Sequence, residues 1–127
     1  LHENGCYCAQ AVACSFCQEF GIDENEMFRI AEGFGLGMGV MEMCGALSGM
    51  AMIIGLSNSR GNTEEGSGSK GDTYKKLRTY IQKFKEKNGS CICRELKGVE
   101  TGKVLCSCPQ CITDAVALTE EYLAENR

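Results

Sequence analysis

Three pairs of cysteines sit one residue apart, Cys6/Cys8, Cys91/Cys93 and Cys106/Cys108, in a chain where ten of 127 residues are cysteine. Cys108 then leads into Cys111 through Pro109 and Gln110. Thiolates are soft metal ligands and redox-active nucleophiles. A chain of this length buries enough apolar surface to stand without covalent staples, and disulfide scaffolds are typically shorter and loop-rich. The sulfur is therefore read as chemical rather than structural, and its two roles are metal binding and thiol–disulfide exchange.

Composition narrows the setting. The length fits a single domain over residues 1–127. Six Met and no Trp suit an adaptable core without large aromatic anchors. A net charge of −4 gives no reason to expect nucleic acid. Residues 43–56 carry no charge, but so short a run does not span a bilayer as a helix, and a buried core helix is expected instead. No signal-peptide pattern is evident, so the expected setting is a reducing cytoplasm, where many free cysteines read as metal-binding or catalytic.

The elements that must position the sulfur are helical. Ala9, Val12, Ala13, Phe16 and Phe20 form a stripe over residues 7–20, and Gly21 is a natural stop. Asp23 and Glu26 have capping-box spacing and open a second helix to about residue 32. Gly33, Gly35, Gly37 and Gly39 make an alternating glycine run before a third helix from about residue 41 to 56. Residues 57–71 are polar and Gly-rich and read as an exposed, mobile loop. Asp72 can cap a fourth helix, with Tyr74, Leu77, Ile81 and Phe84 on its buried face and Gly89 as its stop. Residues 91–108 are irregular apart from one short turn near 94–97, and Pro109 opens a last helix burying Ile112, Ala115, Val116, Thr119 and Leu123. No segment reads as a strand. The expected fold is all-α, a small bundle of about five helices with a cysteine-rich end and an irregular loop before the last helix.

On this layout Cys8, Cys44 and Cys108 fall at or near helix N-termini, where free backbone N–H groups favour thiolate. Cys93 falls in the loop after the fourth helix. Gly45 and Gly49 bracket the run Cys44-Gly45-Ala46-Leu47-Ser48-Gly49, so another helix or a cofactor could approach this backbone closely. Tight helix packing is the plainer of those two readings.

Four ordered motifs carry a resemblance to a known family. They are Tyr7-Cys8-Ala9-Gln10-Ala11-Val12; Gly33-Phe34-Gly35 and Gly37-Met38-Gly39 running into Cys44-Gly45-Ala46-Leu47-Ser48-Gly49; Cys93-Arg94-Glu95-Leu96 with Gly98; and Cys108-Pro109 with Asp114-Ala115. Together they resemble the C_GCAxxG_C_C family of redox-active proteins over nearly the whole chain, with Cys-Gly-Ala here where the family name has Gly-Cys-Ala. The resemblance implies that Cys8, Cys44, Cys93 and Cys108 are the characteristic cysteines. A related domain occurs in split-Soret cytochromes, which carry an iron–sulfur centre beside their haems. By that resemblance the four cysteines would bind an iron–sulfur cluster, [2Fe–2S] ahead of [4Fe–4S], and Gly45 and Gly49 would let backbone approach it. Covalent haem is excluded, because the single His2 belongs to no Cys-x-x-Cys-His. Cys6, Cys14, Cys17, Cys91, Cys106 and Cys111 lie outside the family set. Since Cys6, Cys91 and Cys106 each precede a family cysteine by two residues, a second sulfur-rich site is expected beside the first.

Other chemistries stand against this reading. Cys108-Pro109-Gln110-Cys111 looks like a glutaredoxin-type dithiol, but that fold needs strands. Cys14/Cys17 and Cys108/Cys111 could together bind zinc, though their separation in sequence is far from zinc-ribbon spacing, and Cys17 reads better as a small buried hydrophobe. Met38, Met41, Met43, Met50 and Met52 near Cys44 could suit Cu(I), but Met at helical spacing usually fills core. The glycine run is no dinucleotide fingerprint without a preceding strand. Lys75, Lys76, Arg78, Lys83, Lys85 and Lys87 make the fourth helix basic, a solvated face by default and a docking surface for an acidic partner otherwise. The expectation is an electron carrier that meets a redox partner protein, with homodimer formation open. A metal-free thiol–disulfide protein and a zinc or copper carrier are the alternatives.

Overall fold

The computed structural model describes residues 7–126. Among the described residues seven α-helices succeed one another: α1 (Cys8–Cys14), α2 (Cys17–Phe20), α3 (Glu24–Ala31), α4 (Gly45–Asn58), α5 (Lys70–Asn88), α6 (Cys93–Lys97) and α7 (Cys108–Asn126). Among the described residues there is no strand, and the fold is all-α. Helix α4 is central, packed against α1, α5 and α7. Its Leu47, Met50, Ile53 and Ile54 are buried with Val12, Phe84, Ala115, Tyr122 and Leu123. The Tyr80 and Tyr122 rings meet edge to face at 5.5 Å, closing the α5–α7 side.

Caps that the sequence announces are in place. Asp23 Oδ2 accepts the Glu26 amide at 2.9 Å, and Gly21 and Gly89 end α2 and α5 in the left-handed conformation. The expected first helix is broken in two, however. Ser15 donates its hydroxyl back to the Ala11 carbonyl at 2.6 Å, and the Ser15 and Phe16 amides reach only three residues back, to Val12 and Ala13. Such back-bonding bends a helix.

The third helix starts at Gly45 rather than near residue 41. After a 3-10 turn (Glu32–Phe34), Leu36 and then Met38 and Met41 of one wide turn (Gly37–Met41) adopt positive φ, and that backbone cannot propagate into an α-helix. Residues 42–44 are non-helical instead, and Met43 pairs in an isolated bridge with Ile92. The fourth helix begins two residues before Asp72, with Ser69 at its N-cap position and Asp72 in its first turn. Its buried residues are Tyr80 and Phe84, whereas Leu77 and Ile81 are half-buried and Tyr74 is exposed, so the inward face is rotated from the expected stripe. Lys76, Lys83 and Lys87 pair with Asp72, Glu121 and Asp114 of the same chain. No helix among the described residues is long and apolar enough to cross a membrane.

Helices α1 and α4 touch through glycine. A Cβ on Gly49 would lie 2.7 Å from the Ala9 carbonyl oxygen and 2.9 Å from the Val12 Cβ. Gly49 therefore serves close helix packing. By contrast, nothing lies within 4 Å of a Cβ on Gly55 in the same helix. Gly49→Ala is expected to destabilise the fold by about 1–3 kcal/mol, the clash outweighing better helix propensity. Gly55→Ala should stabilise it by up to about 1 kcal/mol. Denaturant midpoints of the two variants check the pair of opposite signs.

Candidate functional site

One short backbone pairing starts the assembly of the site. Met43 and Ile92 form an isolated antiparallel bridge, with the Cys44 amide donating to the Cys91 carbonyl at 2.9 Å and the Cys93 amide donating to the Glu42 carbonyl. This sets Cys44, the N-cap residue of α4, beside Cys93, the first residue of α6. Arg94 reinforces the join, donating to Glu42 Oε2 at 2.8 Å and to the Val40 carbonyl at 3.1 Å.

Cys8 arrives with α1. A Cβ on Gly45 would stand 3.3 Å from the Cys8 Cβ and 2.9 Å from the Phe34 carbonyl oxygen, so only glycine lets α1 and the 32–35 segment close over the start of α4. Cys106 and Cys108 arrive through a reversal at Gly98, whose φ is +70° and whose missing Cβ would overlap the Lys103 carbonyl. The Leu105 and Cys106 amides then bond to the Leu96 carbonyl at 2.9 and 3.2 Å, which returns the chain to α6 just before α7.

The product is a cavity of about 20 Å³ into which Cys8, Cys44, Cys93, Cys106, Cys108 and Cys111 all project. Leu36, Gly45 and Lys97 complete its wall. The four cysteines singled out by sequence resemblance thus share one space, and Cys106 and Cys111 share it with them. Five of these thiols are buried and Cys108 is half-buried. Gly45 borders the cavity, while the space beside Gly49 is taken by α1.

The sulfurs meet in pairs. Cys8 neighbours Cys108 and Cys44 neighbours Cys111, each close enough to shift the other's ionisation, and Cys111 Sγ donates to the Cys106 carbonyl at 3.8 Å. Lys97 Nζ donates to Cys108 Sγ at 3.4 Å. Cys44 is held down to about pKa 7 by the Cys111 thiol, by the Ala46 and Leu47 amides at the start of α4 and by the Lys97 charge, against the opposing effect of burial. Burial, then the neighbouring Cys108 and Cys44, push Cys8 up. The neighbouring Cys44 and burial push Cys111 up, and burial does the same to Cys106. Burial alone would lower Lys97, but the Cys108, Cys93 and Cys8 sulfurs together outweigh it and Lys97 is raised.

As a receptacle the site has soft donors, an apolar wall and a cation, which suits a thiolate-bound group of net negative charge. Its volume holds about one water, so a larger group needs the thiols to turn outward. Among the described residues no three or more His, Cys, Asp or Glu side chains are drawn together closely enough to hold a metal ion.

The remaining cysteines go elsewhere. Cys6 lies outside the described residues, and the expectation that it joins a second sulfur site lies there with it. Cys106, expected in that second site, borders the first cavity, whereas Cys91 contributes its carbonyl and packs half-buried on the main core. Cys14 and Cys17 make a separate thiol pair, Cys17 buried among Ala9, Ala13, Met27 and Ala31. Neither lines the cavity that Cys108 and Cys111 border. Sequence reasoning passed over Cys111, Lys97 and Leu36 as members of the site. The first two had a signal: Cys111 is three residues beyond Cys108 and Lys97 four beyond Cys93, which places each pair on one helix face. Leu36 had none.

An all-α chain gathering thiols from four separate elements into one pocket defines a cysteine-centred helical domain. The profile of the C_GCAxxG_C_C family, described as a putative redox-active protein, matches residues 6–122, and the chain belongs to that family. No curated protein and no solved structure matches it.

In metal-free protein, the ultraviolet absorbance of thiolate should rise through a pH of about 7 for one sulfur. The depressed value means that this thiolate persists above that pH and is protonated below it. Cys44→Ser should abolish the step, and Cys111→Ala should move it to higher pH because the neighbouring thiol is gone.

Proposed function

We propose that this protein is an iron–sulfur electron carrier whose ligands are Cys8, Cys44, Cys93 and Cys108. The observation that carries the reading is the gathering of these four thiols, from α1, the cap of α4, the start of α6 and the start of α7, around one small buried space. A cluster bound there would supply a reversible one-electron couple. Lys97 offsets part of the thiolate charge, and the Ala46 and Leu47 amides favour the ionised form of Cys44. Leu36 and the core behind α4 limit water. Half-buried Cys108 marks the side from which a redox partner would exchange electrons, and exposed Lys75, Arg78 and Lys85 on α5 offer an acidic partner a docking charge. A compartment that keeps thiols reduced, the cytoplasm first, fits this use.

A second reading, a metal-free thiol–disulfide protein, is favoured by the pairing of the sulfurs and the tightness of the cavity. Its discriminator is acid-labile sulfide. Anaerobically prepared protein should be brown and contain iron and sulfide in equal amounts. Each of Cys8→Ser, Cys44→Ser, Cys93→Ser and Cys108→Ser should lose most of both, while Cys14→Ser and Cys17→Ser keep them. Colourless, sulfide-free protein with freely alkylated thiols would select the second reading. Lys97→Gln should make reduction harder, lowering the midpoint potential by tens of millivolts, because a positive charge no longer offsets the added electron.

A further inference from the structure

Cys111 belongs to neither the four cysteines of the family pattern nor the proposed ligand set. Yet it borders the cavity from the first turn of α7, in the same small space as Cys44 at the cap of α4. Two buried thiols, remote in sequence, that line one cavity of about 20 Å³ are placed for a local bond. We infer that Cys44 and Cys111 form a reversible disulfide when hydrogen peroxide enters the cavity, tying α7 to α4 and removing Cys44 from the thiolate set. The inference rests on this cavity being the redox site proposed above.

Three features specify the chemistry. Cys44 is the attacking sulfur, because it sits at the N-terminus of a 14-residue helix whose free amides favour thiolate, whereas Cys8 opens only a seven-residue one. Cys111 is the resolving sulfur: it lines the same cavity, lies outside the proposed ligand set, and is the side chain that acts most strongly on Cys44. The space of about 20 Å³ admits a molecule little larger than water and excludes a tripeptide disulfide such as oxidised glutathione.

The step balances. The Cys44 thiolate attacks one oxygen of the peroxide, the O–O bond breaks, and Cys44 becomes a sulfenic acid. The hydroxide released takes up the proton that Cys44 had given up and leaves as water. Cys111 sulfur then displaces the hydroxyl from Cys44: the S–S bond forms, the S–O bond breaks, and the Cys111 proton leaves with the hydroxyl as a second water. Two thiols lose two electrons and two protons, and one peroxide becomes two waters. A dithiol reductant reverses the change by exchange.

The test uses the full chain, reduced and freed of metal, then exposed to hydrogen peroxide and blocked with an alkylating agent. Cys44 is the single cysteine between Arg29 and Arg60, so a tryptic link from its peptide to residues 104–127 reports the bond. The expected result is that link, with loss of the mass of two hydrogen atoms, in the wild-type chain and in Cys106→Ser, and its absence in Cys111→Ser. Cys111→Ala, with helicity checked by circular dichroism, repeats the test should serine disturb this buried position. A link that persists in the Cys111 variants, a link from Cys44 to Cys8, or no link at all overturns the inference. Equal formation with oxidised glutathione overturns the selection of a small oxidant. Iron and sulfide in untreated preparations are read separately and decide only the proposed function, so either reading can fail while the other stands.

Discussion

The pairing of residues 42–44 with residues 91–93 is the constraint on which the site depends. It is a single bridge, Met43 to Ile92, flanked by two amide–carbonyl bonds. Without it, Cys44 and Cys93 would ride on helices with no reason to present their first residues to one another. An exposed ion pair such as Arg94–Glu42 contributes only about 0–1 kcal/mol. Its use here is positional: Arg94 also holds the Val40 carbonyl, so the strained 36–41 turn is tied to the same helix as Cys93. From α6 the reversal at Gly98 carries the chain back to α7. One pairing thereby aligns the start of three helices.

Crowding thiols into a small buried space has an electrostatic consequence. Ionising any one of them disfavours ionising its neighbours, and burial disfavours all of them. The structure resolves this by making one sulfur the exception. Cys44 collects the effects of the Cys111 thiol, the helix amides and the Lys97 charge, while Cys8, Cys106 and Cys111 are pushed the other way. On the proposed iron–sulfur reading, binding the cluster would expel protons from the other thiols and so couple affinity to pH. In the inferred disulfide reaction of the metal-free site, the same asymmetry would make Cys44 the nucleophile. Redox chemistry with or without metal grows from the same uneven distribution of protons.

Much of the fold was legible residue by residue. Gly21, Asp23, Gly89 and the Cys108-Pro109 start of α7 act where the sequence says they act, because a cap needs only neighbours within a turn. The departures are equally physical. Ser15 bent the first helix by a side-chain bond that competes with the backbone. Met41 looked like the start of a helix but took a left-handed backbone, since residues 42–44 were claimed by pairing across the fold. The inward face of α5 turned toward Tyr80 because Tyr122 of α7 lies opposite, a partner no periodicity along α5 could reveal.

The candidate site divides along the same line. Sequence by itself determined which residues could do chemistry, which of them open helices, and that Gly45 and Gly49 invite a close neighbour, because residue type, capping and spacing act over a few positions. Only the tertiary structure decided that Cys106 and Cys111 join Cys8, Cys44, Cys93 and Cys108, that Lys97 is their cation, and that Gly49 serves α1 rather than the cavity. Those outcomes depend on a backbone bridge, a glycine contact and a chain reversal acting together, and each joins segments whose meeting is settled by packing in three dimensions.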